Sequence, residues 1–121
     1  MGIKKPDIQC KSKGEVMAID VNSENLETEV LAAEGVIVAD FWAPWCGPCR
    51  KLGPVLEDIE KSFEGKMKLV KINADENLEI MKQFSVSGLP SLLVFKNGEA
   101  VERMAGLIPK SSIVNNIEKH L

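Results

Sequence analysis

The sequence predicts an α/β domain built on a mixed β-sheet with helices on both faces, in the order β-α-β-α-β-α-β-β-α. Three observations carry that expectation. Strand-like apolar runs alternate with amphipathic stretches as far as Phe84, the pattern that joins parallel strands through crossover helices. One run, Val36 to Trp42, is apolar almost throughout, as a strand covered on both faces requires. Later, Asn97-Gly98 lies between two short strand patterns and marks a hairpin, which adds an antiparallel pair.

Each element has its own signal. Residues 1–14 are polar and aperiodic, with Pro6 and Gly14, and read as a flexible arm ahead of a single domain over 15–121. Val16 to Ile19 read as a first short strand. Asn22 or Ser23 can cap a helix that turns Leu26, Val30 and Leu31 inward and stops before Gly35. After the Val36–Trp42 strand, Leu52, Val55, Leu56, Ile59 and Phe63 form one stripe of a helix. Pro54 lies inside that helix and is expected to bend it, because it has no N–H to give. Met67 to Asn73 read as the third strand, and Glu76 to Phe84 as a short helix with Leu78 and Met81 inward. Ser91 to Lys96 and Glu99 to Met104 flank the hairpin turn. Pro109 opens a last helix, with Ile113, Ile117 and Leu121 facing the core.

Composition bounds what such a domain does. The chain has 121 residues, 45% of them hydrophobic and 27% charged, enough for one core of ordinary density. With no Tyr, two Trp and four Phe, branched aliphatics must fill that core. The net charge is −3, and Lys4, Lys5, Lys11 and Lys13 stand against only Asp7 in the arm, so the rest is more acidic still. An acidic body offers no footprint for a phosphate backbone, which argues against nucleic acid as a partner. No stretch approaches the ~20 apolar residues of a membrane span and no secretory h-region opens the chain, so the expected address is cytoplasmic, with no membrane partner. In that compartment thiols are kept reduced, and a cysteine pair serves chemistry rather than stapling.

That pair is Cys46-Gly47-Pro48-Cys49, set between the apolar strand and the start of the amphipathic helix. Unpaired N–H groups and the positive end of the helix dipole favour a thiolate at Cys46, the form that attacks disulfides. Two sulfurs at i and i+3 in a first helical turn lie close enough to bond with little backbone movement. Pro48 is tolerated in that turn and stiffens it, and Gly47 lets another chain approach. The competing reading is half of a zinc site. A closed zinc site needs four ligands, and only Cys10 and His120 are spare. No metal is therefore expected, and the five methionines show no ligand pattern.

The segment Phe41-Trp42-Ala43-Pro44-Trp45-Cys46-Gly47-Pro48-Cys49-Arg50 resembles the active-site segment of the thioredoxin family. Lys71-Ile72-Asn73-Ala74-Asp75, Gly88-Leu89-Pro90 and Phe95-Lys96-Asn97-Gly98-Glu99 resemble later blocks of that family, in order and at suitable spacing, and the likeness covers roughly residues 15–121. The resemblance implies a five-stranded mixed sheet flanked by four helices. It also implies the activity: reduction of protein disulfides, with Cys46 as nucleophile and Cys49 resolving the mixed disulfide. No cofactor beyond the Cys46–Cys49 disulfide is implied. The implied partners are protein disulfide substrates and a thioredoxin reductase, met by a monomer.

Other residues take expectations from their position and from the resemblance together. Asp40 shares an alternating face with Val36, Val38 and Trp42, so it is expected to be buried, at a cost that needs a reason. The family assigns the matching aspartate to proton transfer with the resolving cysteine, and a carboxyl of raised pKa suits that role. The alternative is a carboxyl satisfied by structural hydrogen bonds alone. Lys71 matches the family's lysine beside this aspartate, and reads equally as a solvated strand-edge lysine. Pro90 matches a cis-proline that faces the cysteines, and the backbone at Leu89 is then expected to pair with a substrate chain. Trp45, Gly47, Pro48, Gly88, Leu89, Gly106 and Leu107 would form a shallow, largely apolar patch around the reactive sulfur. Trp42 is expected to pack first. Cys10 reads as an incidental thiol or as one arm of a regulatory disulfide, and His120 as a solvated terminal residue.

Two other functions fit the same fold. A thiol oxidase or isomerase would usually carry His before the second cysteine, where this chain has Pro48. A binding subunit would use the patch around Trp45 with its redox chemistry incidental.

Overall fold

A computed structural model describes residues 18–121. The arm over 1–14, Cys10 and the first residues of the expected Val16–Ile19 strand lie outside the described residues. Five strands form one sheet: β1 (Ile19–Asp20), β2 (Val36–Trp42), β3 (Met67–Asn73), β4 (Ser91–Lys96) and β5 (Glu99–Ala105), in the spatial order β1-β3-β2-β4-β5. β3 runs parallel to both β1 and β2, while β4 is antiparallel to β2 and to β5. The sheet is flanked by a π-helical segment (Glu27–Leu31), α1 (Gly47–Ser62), α2 (Leu78–Gln83) and α3 (Lys110–Glu118).

Central β2 explains the layering. Its residues Val36 to Phe41 are all buried, so both of its faces need cover. Ile37, Ala39 and Phe41 look toward Val30, Ile80 and Phe95; Val36 and Val38 look toward Leu52, Leu56 and Ile59 of α1 and Ile113 and Ile117 of α3. Aliphatics dominate both layers, and Phe95 meets Phe84 edge-on at 5.3 Å between ring centroids. The Asn97-Gly98 turn has φ of 52° and 85°, the two left-handed residues a tight hairpin needs.

Several expectations are corrected. Asn22 caps the turn ahead of the π-helical segment, its Oδ1 accepting the Glu24 N–H at 2.8 Å, while the segment itself has Leu26 at its N-cap and no side-chain cap. The segment then widens, with the Ala32 N–H reaching the Glu27 carbonyl five residues back at 2.7 Å. Leu78 is 63% exposed, and Ile80 takes the inward position. A 3₁₀ turn over Ala74–Glu76 delays the helix, so Ile80 and Phe84 face the sheet in place of Leu78, while Met81 packs inward as expected. Leu121 is 46% exposed because α3 stops at Glu118. The expected amphipathic helix is present as α1 over Gly47–Ser62, with Pro54 inside it.

Candidate active site

The end of β2 hands the chain to α1 through a tight turn in which the Cys46 N–H donates to the Ala43 carbonyl at 3.1 Å. Cys46 is the N-cap of α1, with extended φ and ψ of −90° and 107°. Its Sγ accepts the Cys49 N–H at 3.2 Å, the bond a Ser or Asp cap would usually make. Cys46 and Cys49 are joined as a disulfide with their Cα atoms 5.3 Å apart. Sulfur therefore stands where the first turn of a helix offers N–H donors and positive potential. Gly47 and Pro48 fill the first two helical positions, where a missing N–H costs nothing.

The surroundings assemble from four other segments. Ala43, Cys46 and Cys49 form a small buried cluster against Trp42 and Leu89. Leu89-Pro90 is a cis peptide. Its loop is fastened twice: the Ser91 hydroxyl donates to the Gly88 carbonyl at 2.7 Å, and the Gly106 N–H to the Pro90 carbonyl at 2.9 Å. A methyl group added at Gly47, Gly88 or Gly106 would meet no atom within 4 Å, so space stands open at all three. Trp45 is 69% exposed and Leu107 55%, leaving apolar surface on either hand.

Asp75 was not anticipated as a site residue. Both of its carboxylate oxygens accept the Trp45 indole N–H, each at 3.0 Å, and its own N–H is held by Asn73 Oδ1. An exposed Trp is thereby fixed in one orientation. The block Asn73-Ala74-Asp75 was visible in the sequence, but its contact with Trp45 spans thirty residues of chain.

Asp40 is 1% exposed, and its Oδ1 has no hydrogen-bond partner among the described residues. Burial pushes its carboxyl up from the usual 3.8 to about 6, against a smaller downward pull from the Lys71 ammonium. Lys71 is Asp40's register partner across β2 and β3. It is half-buried, with Nζ 5.1 Å from the Trp42 ring centroid, so it is not the freely solvated edge lysine of the second reading. Trp42 lies under Lys71 and packs on the cysteine cluster, its indole N–H buried without a partner among the described residues. Among the described residues no group of three or more His, Cys, Asp or Glu is placed to hold a metal ion.

A sulfur pair that closes across one helical turn, at the N-terminus of α1 and within an open apolar rim, is the equipment of a dithiol–disulfide oxidoreductase. Comparison with known proteins agrees. Residues 17–119 match the family model described as thioredoxin. The chain is 41% identical over 104 residues to thioredoxin 1 of Nostoc sp., covering 86% of this chain and 97% of that one. It is 48% identical over 89 residues to the thioredoxin of Bacillus subtilis, covering 74% and 86%. Against the chloroplastic M-type thioredoxin of Spinacia oleracea it is 40% identical over 115 residues, covering 94% of this chain and 64% of that one. The chain belongs to the thioredoxin family, and it is a disulfide oxidoreductase working through its redox-active cysteine pair.

Proposed function

We propose that this protein is a general reductase of protein disulfides in the cytoplasm, acting as a monomer and recharged by a thioredoxin reductase. Reduced Cys46 attacks one sulfur of a substrate disulfide as a thiolate. A mixed disulfide forms and the substrate's other sulfur leaves as a thiolate. Cys49, losing its proton, attacks Cys46 Sγ and breaks the mixed disulfide. The substrate leaves with two thiols, and the protein keeps the Cys46–Cys49 disulfide until a reductase returns two electrons. The Cys46 cap position carries the reading, because α1 presents its N-terminal donors to the sulfur that must hold negative charge.

Asp40 exchanges the proton that Cys49 gives up, and a carboxyl titrating near 6 can both accept and return it near neutrality. Lys71 keeps that carboxyl from rising further. The Leu89 backbone beside cis Pro90 receives an extended substrate segment, and Trp45, Gly47, Pro48, Gly88 and Gly106 shape the rim. That rim is apolar and shallow, which suits varied extended chains. No helix among the described residues is long and apolar enough to cross a membrane, which is compatible with a cytoplasmic address.

Insulin disulfide reduction by dithiothreitol, followed by turbidity, tests the assignment. The wild-type chain should accelerate precipitation and Cys46→Ser should abolish the acceleration. Cys49→Ser should instead accumulate a covalent adduct with substrate. Acceleration by Cys46→Ser equal to wild type would overturn the assignment of the nucleophile.

A further inference from the structure

The loop that carries Gly88, Leu89 and Pro90 begins at the C-terminus of α2, and that terminus is unusual. The Ser85 N–H returns to the Lys82 carbonyl at 3.1 Å and the Val86 N–H to the Met81 carbonyl at 2.8 Å. This is a Schellman ending, with Val86 and Met81 in the same apolar cluster. Its left-handed position is normally glycine, yet Ser85 occupies it at φ 57°. The ending leaves the Phe84 and Ser85 carbonyls without a backbone donor among the described residues, at the negative end of the helix.

Arg103 reaches them from β5. One guanidinium nitrogen donates to the Phe84 carbonyl at 2.6 Å and the other to the Ser85 carbonyl at 3.4 Å. Arg103 is itself set by β5, where it pairs with Leu93 of β4. Three residues further along the chain, the Gly106 N–H holds the Pro90 carbonyl. One end of β5 therefore grips the loop on both sides of Leu89: Arg103 before it, Gly106 after it.

We infer that Arg103 is a positioning residue for protein substrates, fixing the α2–β4 loop so that the Leu89 backbone is already in place when a chain arrives. The inference rests on the proposed reading of that loop as the substrate's seat. Without the guanidinium, a strained non-glycine turn keeps only its two main-chain bonds, and the loop must be ordered at the moment of binding. That cost falls on capture of an extended chain and not on sulfur exchange itself. A small disulfide, which needs only the exposed sulfur, does not meet it. The planar fork of Arg spans two carbonyls, whereas a Lys ammonium can serve one well.

The test compares wild type, Arg103→Met and Arg103→Lys on two substrates, insulin and the small aromatic disulfide 5,5′-dithiobis(2-nitrobenzoate). Arg103→Met should raise KM for insulin about fivefold, the net worth of one hydrogen bond at an exposed site, with kcat within about twofold. Its rate with the small disulfide should match wild type, and Arg103→Lys should recover part of the loss. Equal slowing of both substrates, or unchanged insulin KM with only a lower melting temperature, would overturn the inference. Gly88→Leu separates the two claims, since its side chain enters open space beside Leu89. If Gly88→Leu raises insulin KM while Arg103→Met does not, the inference about Arg103 fails alone. If Gly88→Leu also leaves insulin KM unchanged, the loop is not the substrate's seat and both fail.

Discussion

Asp40→Asn should make the oxidised protein more stable at neutral pH, and by an amount that depends on pH in a defined way. The wild-type carboxyl titrates near 6 when folded and near 3.8 when exposed, because burial disfavours its charge. Below about pH 3.8 the proton is bound in both states, and the carboxyl contributes its full share to the fold. As pH rises through the interval up to about 6, the unfolded chain ionises first and pulls the equilibrium toward itself. The loss levels off above about pH 7, at about 3 kcal/mol for a rise from 3.8 to about 6. Asn keeps the shape and cannot ionise, so the stability gap between variant and wild type should widen by about 3 kcal/mol from about pH 3 to about pH 8. Urea unfolding of the disulfide form at each pH measures it, with Cys46 and Cys49 unable to titrate while bonded. On the proton-transfer role proposed for Asp40, the same variant should also reduce insulin more slowly. A gap that stays constant across that range would refute the argument that desolvation of Asp40 sets its pKa.

Two further perturbations test the frame around the site. Gly98→Ala should destabilise the fold by about 3 kcal/mol in urea, because the added methyl meets the Leu31 backbone carbonyl and φ is +85°; an effect below about 1 kcal/mol would mean that the π-helical segment gives way freely. Ser85→Gly should stabilise by about 0.5 kcal/mol, the relief of a left-handed serine exceeding the extra chain entropy of glycine. Insulin KM should be unchanged in Ser85→Gly, since Arg103 binds carbonyls and not the Ser85 side chain.

How much of this was legible in the sequence depends on how local each determinant is. β2 and β3 have the bounds read from the sequence, Val36–Trp42 and Met67–Asn73; β2 is buried from Val36 to Phe41, and in β3 the buried Met67, Leu69, Val70 and Ile72 carry the pattern around Lys68 and Lys71. The hairpin was legible because the left-handed pair Asn97-Gly98 specifies its own turn. α2 was harder. Leu78 and Ile80 are both apolar and two residues apart, and only the 3₁₀ turn before them decides which meets the sheet. Ser85 gives no sign of a left-handed position, since the residue that usually advertises one is glycine.

The site divides in the same way, and the division follows from its chemistry. Cys46 and Cys49 are three residues apart, so forming their bond needs only the geometry of one helical turn, which spacing reveals. The groups proposed to act around that bond come from other elements. Lys71 stands opposite Asp40 because β2 and β3 pair in one register. Asp75 holds the Trp45 indole N–H, and Arg103 reaches the Phe84 and Ser85 carbonyls from the far edge strand. Alternation along β2 could place Asp40 inside the protein, but no local pattern could say whether a cation faced it. A parallel pair carries no turn to set its register, so that information lies in which apolar residues of two distant segments pack together. The reactive pair is therefore written locally, while the neighbours it meets, Asp40, Lys71 and Asp75, are brought together by the pairing of strands.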